Sequence, residues 1–182
     1  MLVTTTVPGH RTPGVGVESP FELMEACHQR VQRTLDLLDR LQRHILDRGC
    51  DADARSAAQD VTRYFDLAAP HHHKDEELHV FPVLLAGSDT VLHGLVRRLQ
   101  SEHHLMELSW QAARQVLVRI SDEQDPGWRL LPHETQCLSN FSALYGQHIQ
   151  VEEQQVYPAA AAKLSPADLV AMGHEMGTRR RQ

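Results

Sequence analysis

The 182-residue chain has only three cysteines, Cys27, Cys50 and Cys137, and no two of them form a C-x-x-C pair. An odd, scattered set builds neither a disulfide framework nor a thiolate metal site. It suits a reducing compartment, so a cytoplasmic location is expected. Aromatic residues make up only 5% of the chain, and no stretch alternates apolar with polar residues. With Ala and Leu dominating the apolar set, helix is favoured over sheet. Long apolar runs are missing too: nothing approaches the roughly 20 residues of a membrane span, so no membrane association is expected. The opening MLVTTTVPGHRTPGVGV lacks the basic start and apolar stretch of a secretory signal. There is no basic excess, since the net charge is −6. Nucleic acid is therefore an unexpected partner, because releasing phosphate counterions needs a basic face. The one tight basic run, Arg179-Arg180-Arg181, reads as a solvated tail.

Histidine, by contrast, is abundant: 13 residues. Imidazole is the commonest protein metal ligand and titrates near neutrality, so the placement of these residues matters more than their number.

Residues 1–18, rich in Pro, Gly, Thr and Val, read as a flexible N-terminal arm. Ser19-Pro20-Phe21-Glu22 then has the form of a helix start with a capping box. Phe21, Met24, His28, Val31, Leu35, Leu38, Leu41 and Ile45 follow at three- and four-residue steps, and Gly49 ends the stripe. A second helix is expected from about Asp53 to Leu85, kinked or broken at Pro70. A third follows the Gly87-Ser88-Asp89 turn and carries Leu92, Leu95, Leu99, His103, Met106, Trp110, Ala113 and Leu117 on one face. After a loop at 121–128, a fourth helix is expected from near Pro132 to about Lys163. Ser165-Pro166-Ala167-Asp168 opens a short fifth helix. Short connections make sequential helices antiparallel neighbours, so the expected fold is an all-α, up-down-up-down four-helix bundle over 19–163. Residues 164–182 are left as a short C-terminal helix and basic tail.

Two segments match each other. HHKDEELHVFP runs from His72 to Pro82 and HIQVEEQQVYP from His148 to Pro158, both reading H-x-x-x-E-E-x-x-V-[F/Y]-P. Spacing of i, i+4 stacks His72 on Glu76 and His148 on Glu152, so each pair is an imidazole–carboxylate half-site. His28 precedes His72 by 44 residues and His103 precedes His148 by 45, and both lie on apolar stripes. Each helical hairpin thus offers one lone His and one H-x-x-x-E, and all six groups can point inward. Glu76 and Glu152 could each bridge two cations, with His28 and His72 serving one and His103 and His148 the other. A nitrogen and oxygen donor set without thiolates suits Fe, Mn or Zn. With an added oxo or hydroxo bridge, each cation would have five ligands and an open position for a small reactant.

His28, the doubled H-x-x-x-E-E-x-x-V-[F/Y]-P segment and the Glu102-His103 step resemble the hemerythrin-like (HHE cation-binding) family over about residues 19–163. The resemblance implies a left-handed four-helix bundle around two oxo- or hydroxo-bridged, non-haem iron ions. It carries the ligand roles onto His28, His72, Glu76, His103, His148 and Glu152. The implied partner is O2, NO or peroxide. The oxygen-carrying members have H-x-x-x-H on the third helix, where this chain has His103 followed by Glu107, which makes Glu107 a seventh candidate ligand. They have H-x-x-x-x-D on the fourth helix, where this chain has His148-x-x-x-Glu152. Extra anionic ligands favour the ferric state and turn the reading from stable O2 carriage toward sensing or handling of oxygen, peroxide or NO. The alternatives are a catalase- or peroxidase-like di-iron enzyme and an iron-storage protein. A sensor without a fused effector would need a separate signalling partner, and the chain itself is expected to be a monomer or weak dimer. Glu77, Glu153 and His73 are read as solvated groups or partners of the ligands, Tyr145 and Trp110 as core, and His79 as polar lining.

Overall fold

The computed structural model describes residues 20–180, and every regular element among them is helical. Helix α1 (Pro20–Arg48) buries Met24, Cys27, His28, Val31, Leu35, Leu38, Leu41 and Ile45, the stripe legible in the sequence. Ser19, its expected cap, lies outside the described residues, as do the arm and Arg181. The helix ends at Gly49, whose φ of +95° is open to glycine and strained for other residues. A Cβ there would also sit 1.9 Å from the Pro126 carbonyl oxygen, which accepts a hydrogen bond from the Cys50 N–H at 3.2 Å. The 121–128 loop is thereby seated on the end of α1.

The second rod is segmented. Helix α2 (Ala52–Leu67) is capped by Asp51, which accepts from the Ala54 N–H. It ends at Ala68, because Pro70 cannot donate to the preceding turn. Helix α3 (Ala69–Asp75) leads into a π-helical turn, Glu76–Val80, and α4 (Phe81–Leu85) follows. Helix α5 (Thr90–Asp122) is continuous and capped by Asp89. The fourth rod repeats the pattern of the second: α6 (Pro132–Ala143), α7 (Tyr145–Val151), a π turn Glu152–Val156 and α8 (Tyr157–Ala161). Helix α9 (Pro166–Arg179) starts at a reciprocal Ser165–Asp168 capping box.

The expected single helix over 132–163 is therefore divided, and the expected 53–85 helix is interrupted again beyond Pro70. The π turns have a common cause. Pro82 and Pro158 have no N–H to donate, and in a regular α-helix their rings would crowd the carbonyl four residues back. A wider turn moves that carbonyl, and the Phe81 and Tyr157 N–H groups reach back five residues to the Glu76 and Glu152 carbonyls.

Helix α1 packs against α2 and α6, α5 against the same two, and α9 against α1. The chain is thus a helical bundle. Its apolar core falls into two clusters. One includes Leu38, Phe65, Leu117 and Phe141, the other Met24, Phe81, Leu99, Val156 and Met176. Each rod crosses from one cluster to the other, and at the crossing it places a buried His or Glu: His28 on α1, His72 and Glu76 on the second rod, His103 on α5, His148 and Glu152 on the fourth. No helix among the described residues is long and apolar enough to cross a membrane.

Candidate metal centre

The six groups of this polar layer are each at most 4% exposed. Burying two carboxylates and four imidazoles is costly unless each is paired, so their partners define the site. Three imidazoles are oriented from outside. The His28 Nδ1–H donates to Glu153 Oε1 at 2.9 Å, the His103 Nδ1–H to Glu77 Oε1 at 2.9 Å and the His148 Nδ1–H to Glu102 Oε2 at 2.8 Å. Each carboxylate fixes the tautomer, so Nε2 turns inward with a lone pair.

Inside, the two buried carboxylates each face both halves of the layer. Glu76 Oε1 lies 3.5 Å from His72 Nε2 and 4.0 Å from His28 Nε2, and its Oε2 lies 3.4 Å from His103 Nε2. Glu152 Oε1 lies 3.0 Å from His148 Nε2 and 3.6 Å from His103 Nε2, and its Oε2 lies 3.2 Å from His28 Nε2. Glu76 Oε2 and both Glu152 oxygens have no hydrogen bond. The Nε2 atoms of His103 and His148 are 3.2 Å apart, and two lone pairs facing each other at that distance require a proton or a cation between them.

The electrostatics agree. Burial by itself lowers the pKa of His28, His103 and His148, but the Glu152 carboxylate, with Glu76 beside His28 and His103, outweighs it. All three are held above the ordinary value, His103 at about 10. Burial raises the Glu152 pKa, yet the neighbouring imidazoles of His103, His148 and His28 dominate and hold it well below the usual carboxylate range. His72 and His73 are shifted down by burial. The cavity is thus a buried dianion-like site whose positive charge must come from protons or from cations. His28, His72, Glu76 and Glu152 offer donor atoms within 4.8 Å of one another, and so do His73, His103 and His148. Buried, unbonded oxygens among inward-facing imidazoles fit metal cations.

A model of the hemerythrin HHE cation-binding domain matches residues 19–160. The chain belongs to this family. A protein of Haemophilus influenzae, itself described only as uncharacterized, is 28% identical over 161 residues, covering 88% of this chain and 90% of its own length. For an HHE-domain protein the donor set found here is the expected kind.

Of the seven residues singled out in the sequence, the fold brings together His28, His72, Glu76, His103, His148 and Glu152. It does not bring in Glu107, which is exposed in the wall of an adjoining pocket and outside both donor groups. Glu107 follows His103 by four residues, but the cluster draws its carboxylates from the second and fourth rods. His104 is exposed, leaving His103 as the inward member of that pair.

Three features were not legible, and a fourth, the place of His73, is read in the sequence only as that of a solvated group or partner of the ligands. Glu102 anchors His148 from the rod beside it. His73 stacks on His103, with ring centroids 4.0 Å apart. The Tyr157 hydroxyl donates to Glu76 Oε1 at 2.5 Å and sits 3.2 Å from His28 Nε2; its one sequence signal is that the first copy of the repeat has Phe81 where the second has Tyr157. Finally, the basic run is not simply solvated. Arg179 pairs with Asp75 Oδ1 at 2.8 Å, Arg180 pairs with Asp75 Oδ2, and Asp75 is fully buried beside Glu76. His79 likewise serves α9, pairing with Glu175 at 2.6 Å.

Proposed function

We propose that the chain is a non-haem di-iron protein that binds O2, NO or peroxide for sensing or handling these molecules. The supporting observation is that Glu76 and Glu152 each face imidazoles of both halves of the site with buried, unbonded oxygens, as a pair of bridging carboxylates would. His28 and His72 would hold one iron and His103 and His148 the other. Glu107, being exposed, is left out of the ligand set.

An iron pair supplies electrons and open positions for a diatomic molecule or peroxide. The chain's own residues do the rest. Glu153, Glu77 and Glu102 hold three imidazoles in the ligating tautomer. Tyr157 holds a proton against Glu76 Oε1. The two apolar clusters exclude bulk water on either side.

The bundle over 19–163 is taken as up-down-up-down, which the short connections and neighbour packing favour, and as left-handed, which the family resemblance implies. The arm (1–18) and the C-terminal segment (164–182) flank it. The three cysteines are free thiols, in keeping with a cytoplasmic monomer or weak dimer that needs no nucleic acid and reports through a separate protein.

The test is to purify the protein with iron, count metal per chain and follow the optical spectrum on adding O2, H2O2 and NO. Two irons per chain with reversible spectral changes support the reading. Sustained gas evolution from peroxide would make the protein an enzyme instead. A colourless protein holding zinc would overturn both.

A further inference from the structure

A cavity of about 550 Å³ opens from the surface between the second rod and α5 and ends against the metal centre. It reaches only one half of that centre: His103 and His73 are in its wall, whereas His28, His72 and Tyr157 are not. Its volume falls within the range of sites for organic ligands and is far above what a diatomic molecule or a water-sized peroxide fills. The apolar surface of the cavity comes from Pro70, Leu78 and Trp110, over a floor of Phe65, Met106 and Tyr145, each at most 3% exposed. The floor side chains are held by the apolar cluster behind them, with Phe65 and Trp110 5.1 Å apart between ring centroids. That makes the floor a preformed surface.

The mouth carries Lys74, Glu77 and Glu107. Glu77 is engaged by the His103 Nδ1–H, which leaves one cation, Lys74, against one other carboxylate, Glu107, so the mouth has no field that would gather an ion of either sign. The occupant that matches is therefore neutral, with an apolar body and one small polar end. The polar end would lie against the His73 and His103 imidazoles, the inner wall beside the metal centre.

We propose that this cavity binds an organic hydroperoxide, its aryl or branched alkyl body against Pro70, Leu78 and Trp110 and its hydroperoxy end at the His103 side of the centre. This deepens the peroxide-handling reading and rests on it. The site would accept a substituted peroxide, not only the diatomic molecules and hydrogen peroxide that the metal centre itself can take.

The test uses the full metal-loaded chain and 2-phenyl-2-propanol, the unreactive alcohol analogue of an aryl hydroperoxide, in a calorimetric titration. A saturable one-to-one isotherm with Kd below about 1 mM is expected. Gln100, exposed in the cavity wall, can be enlarged without touching a donor atom. Gln100→Phe should weaken binding at least tenfold and leave the metal count unchanged. A chain that holds its metal but shows no binding overturns the proposal and leaves the metal-centre reading intact. Tighter binding of benzoate than of the alcohol overturns the neutral-ligand assignment. A chain that binds the alcohol but no metal would break the link between cavity and centre and overturn the peroxide reading itself.

Discussion

His72 has no partner at Nδ1, while His28, His103 and His148 each have a carboxylate there. The four imidazoles therefore differ in how they are held, and the differences are testable one residue at a time. His72→Ala and His148→Ala each delete a donor from a different half, and each variant should lose metal by elemental analysis. Retention of full metal by both would show that other groups bind it. Glu102→Gln keeps the shape of the outer partner but removes its charge from His148 Nδ1, so metal affinity should fall about 10–100-fold in a chelator competition. Tyr157→Phe removes the hydroxyl that donates to Glu76 Oε1. The metal-free form should then lose about 1–3 kcal/mol in urea denaturation, with metal stoichiometry kept. At this scale the sequence showed the six inward donors because their spacing is periodic. It did not show Glu102 or Tyr157, because their partners lie 46 and 81 residues away and on other rods.

At the scale of elements, the two H-x-x-x-E-E-x-x-V-[F/Y]-P segments are repeated in backbone as well as in residues. Each has a π turn beginning at its first Glu and a proline just after it. The proline was visible in the sequence, but its local answer was not, since a kink, a break and a widened turn all accommodate a missing N–H. Helix α9 is the other element whose role depended on contacts. Its methionines join the second apolar cluster, and its last turn supplies both cations to buried Asp75. Replacing Arg179 and Arg180 together by Ala strands that carboxylate, and a loss of about 3–5 kcal/mol is expected in denaturant unfolding.

Helix α9 is also acid-sensitive. Arg179 and His79 hold the Glu175 carboxyl at about 2, against an ordinary 4.5. A depressed folded pKa gives stability that is full above about 4.5 and lost as pH falls toward about 2. The melting-temperature gap between wild type and Glu175→Gln should therefore be constant near neutrality and close through that window.

For the whole molecule, the two apolar clusters are divided by a layer of four imidazoles and two carboxylates. Such a layer adds little stability until its charge is balanced. Removing metal with a chelator should lower the calorimetric melting temperature, and restoring excess metal should recover it. A cation bound to the folded form alone at 100 times its Kd adds about 2.7 kcal/mol. Identical melting with and without metal would mean that protons balance the layer equally well.

What the sequence by itself determined were the quantities that repeat along a helix: the apolar stripes, the helix starts at Pro20, Pro132 and Pro166, the stop at Gly49, and the six donors stacked at i, i+4 or set on apolar faces. Periodicity is a local property, and every helix carries its own record of it. Tertiary structure decided what depends on two rods at once. It set Glu107 aside in a cavity wall and gave each of three inward imidazoles an outer carboxylate. It put Tyr157 against Glu76 and turned two tail arginines into partners for a buried aspartate. Such choices are made by whichever charged group lies nearest when a polar atom loses its water, and that neighbour is fixed only when the rods pack.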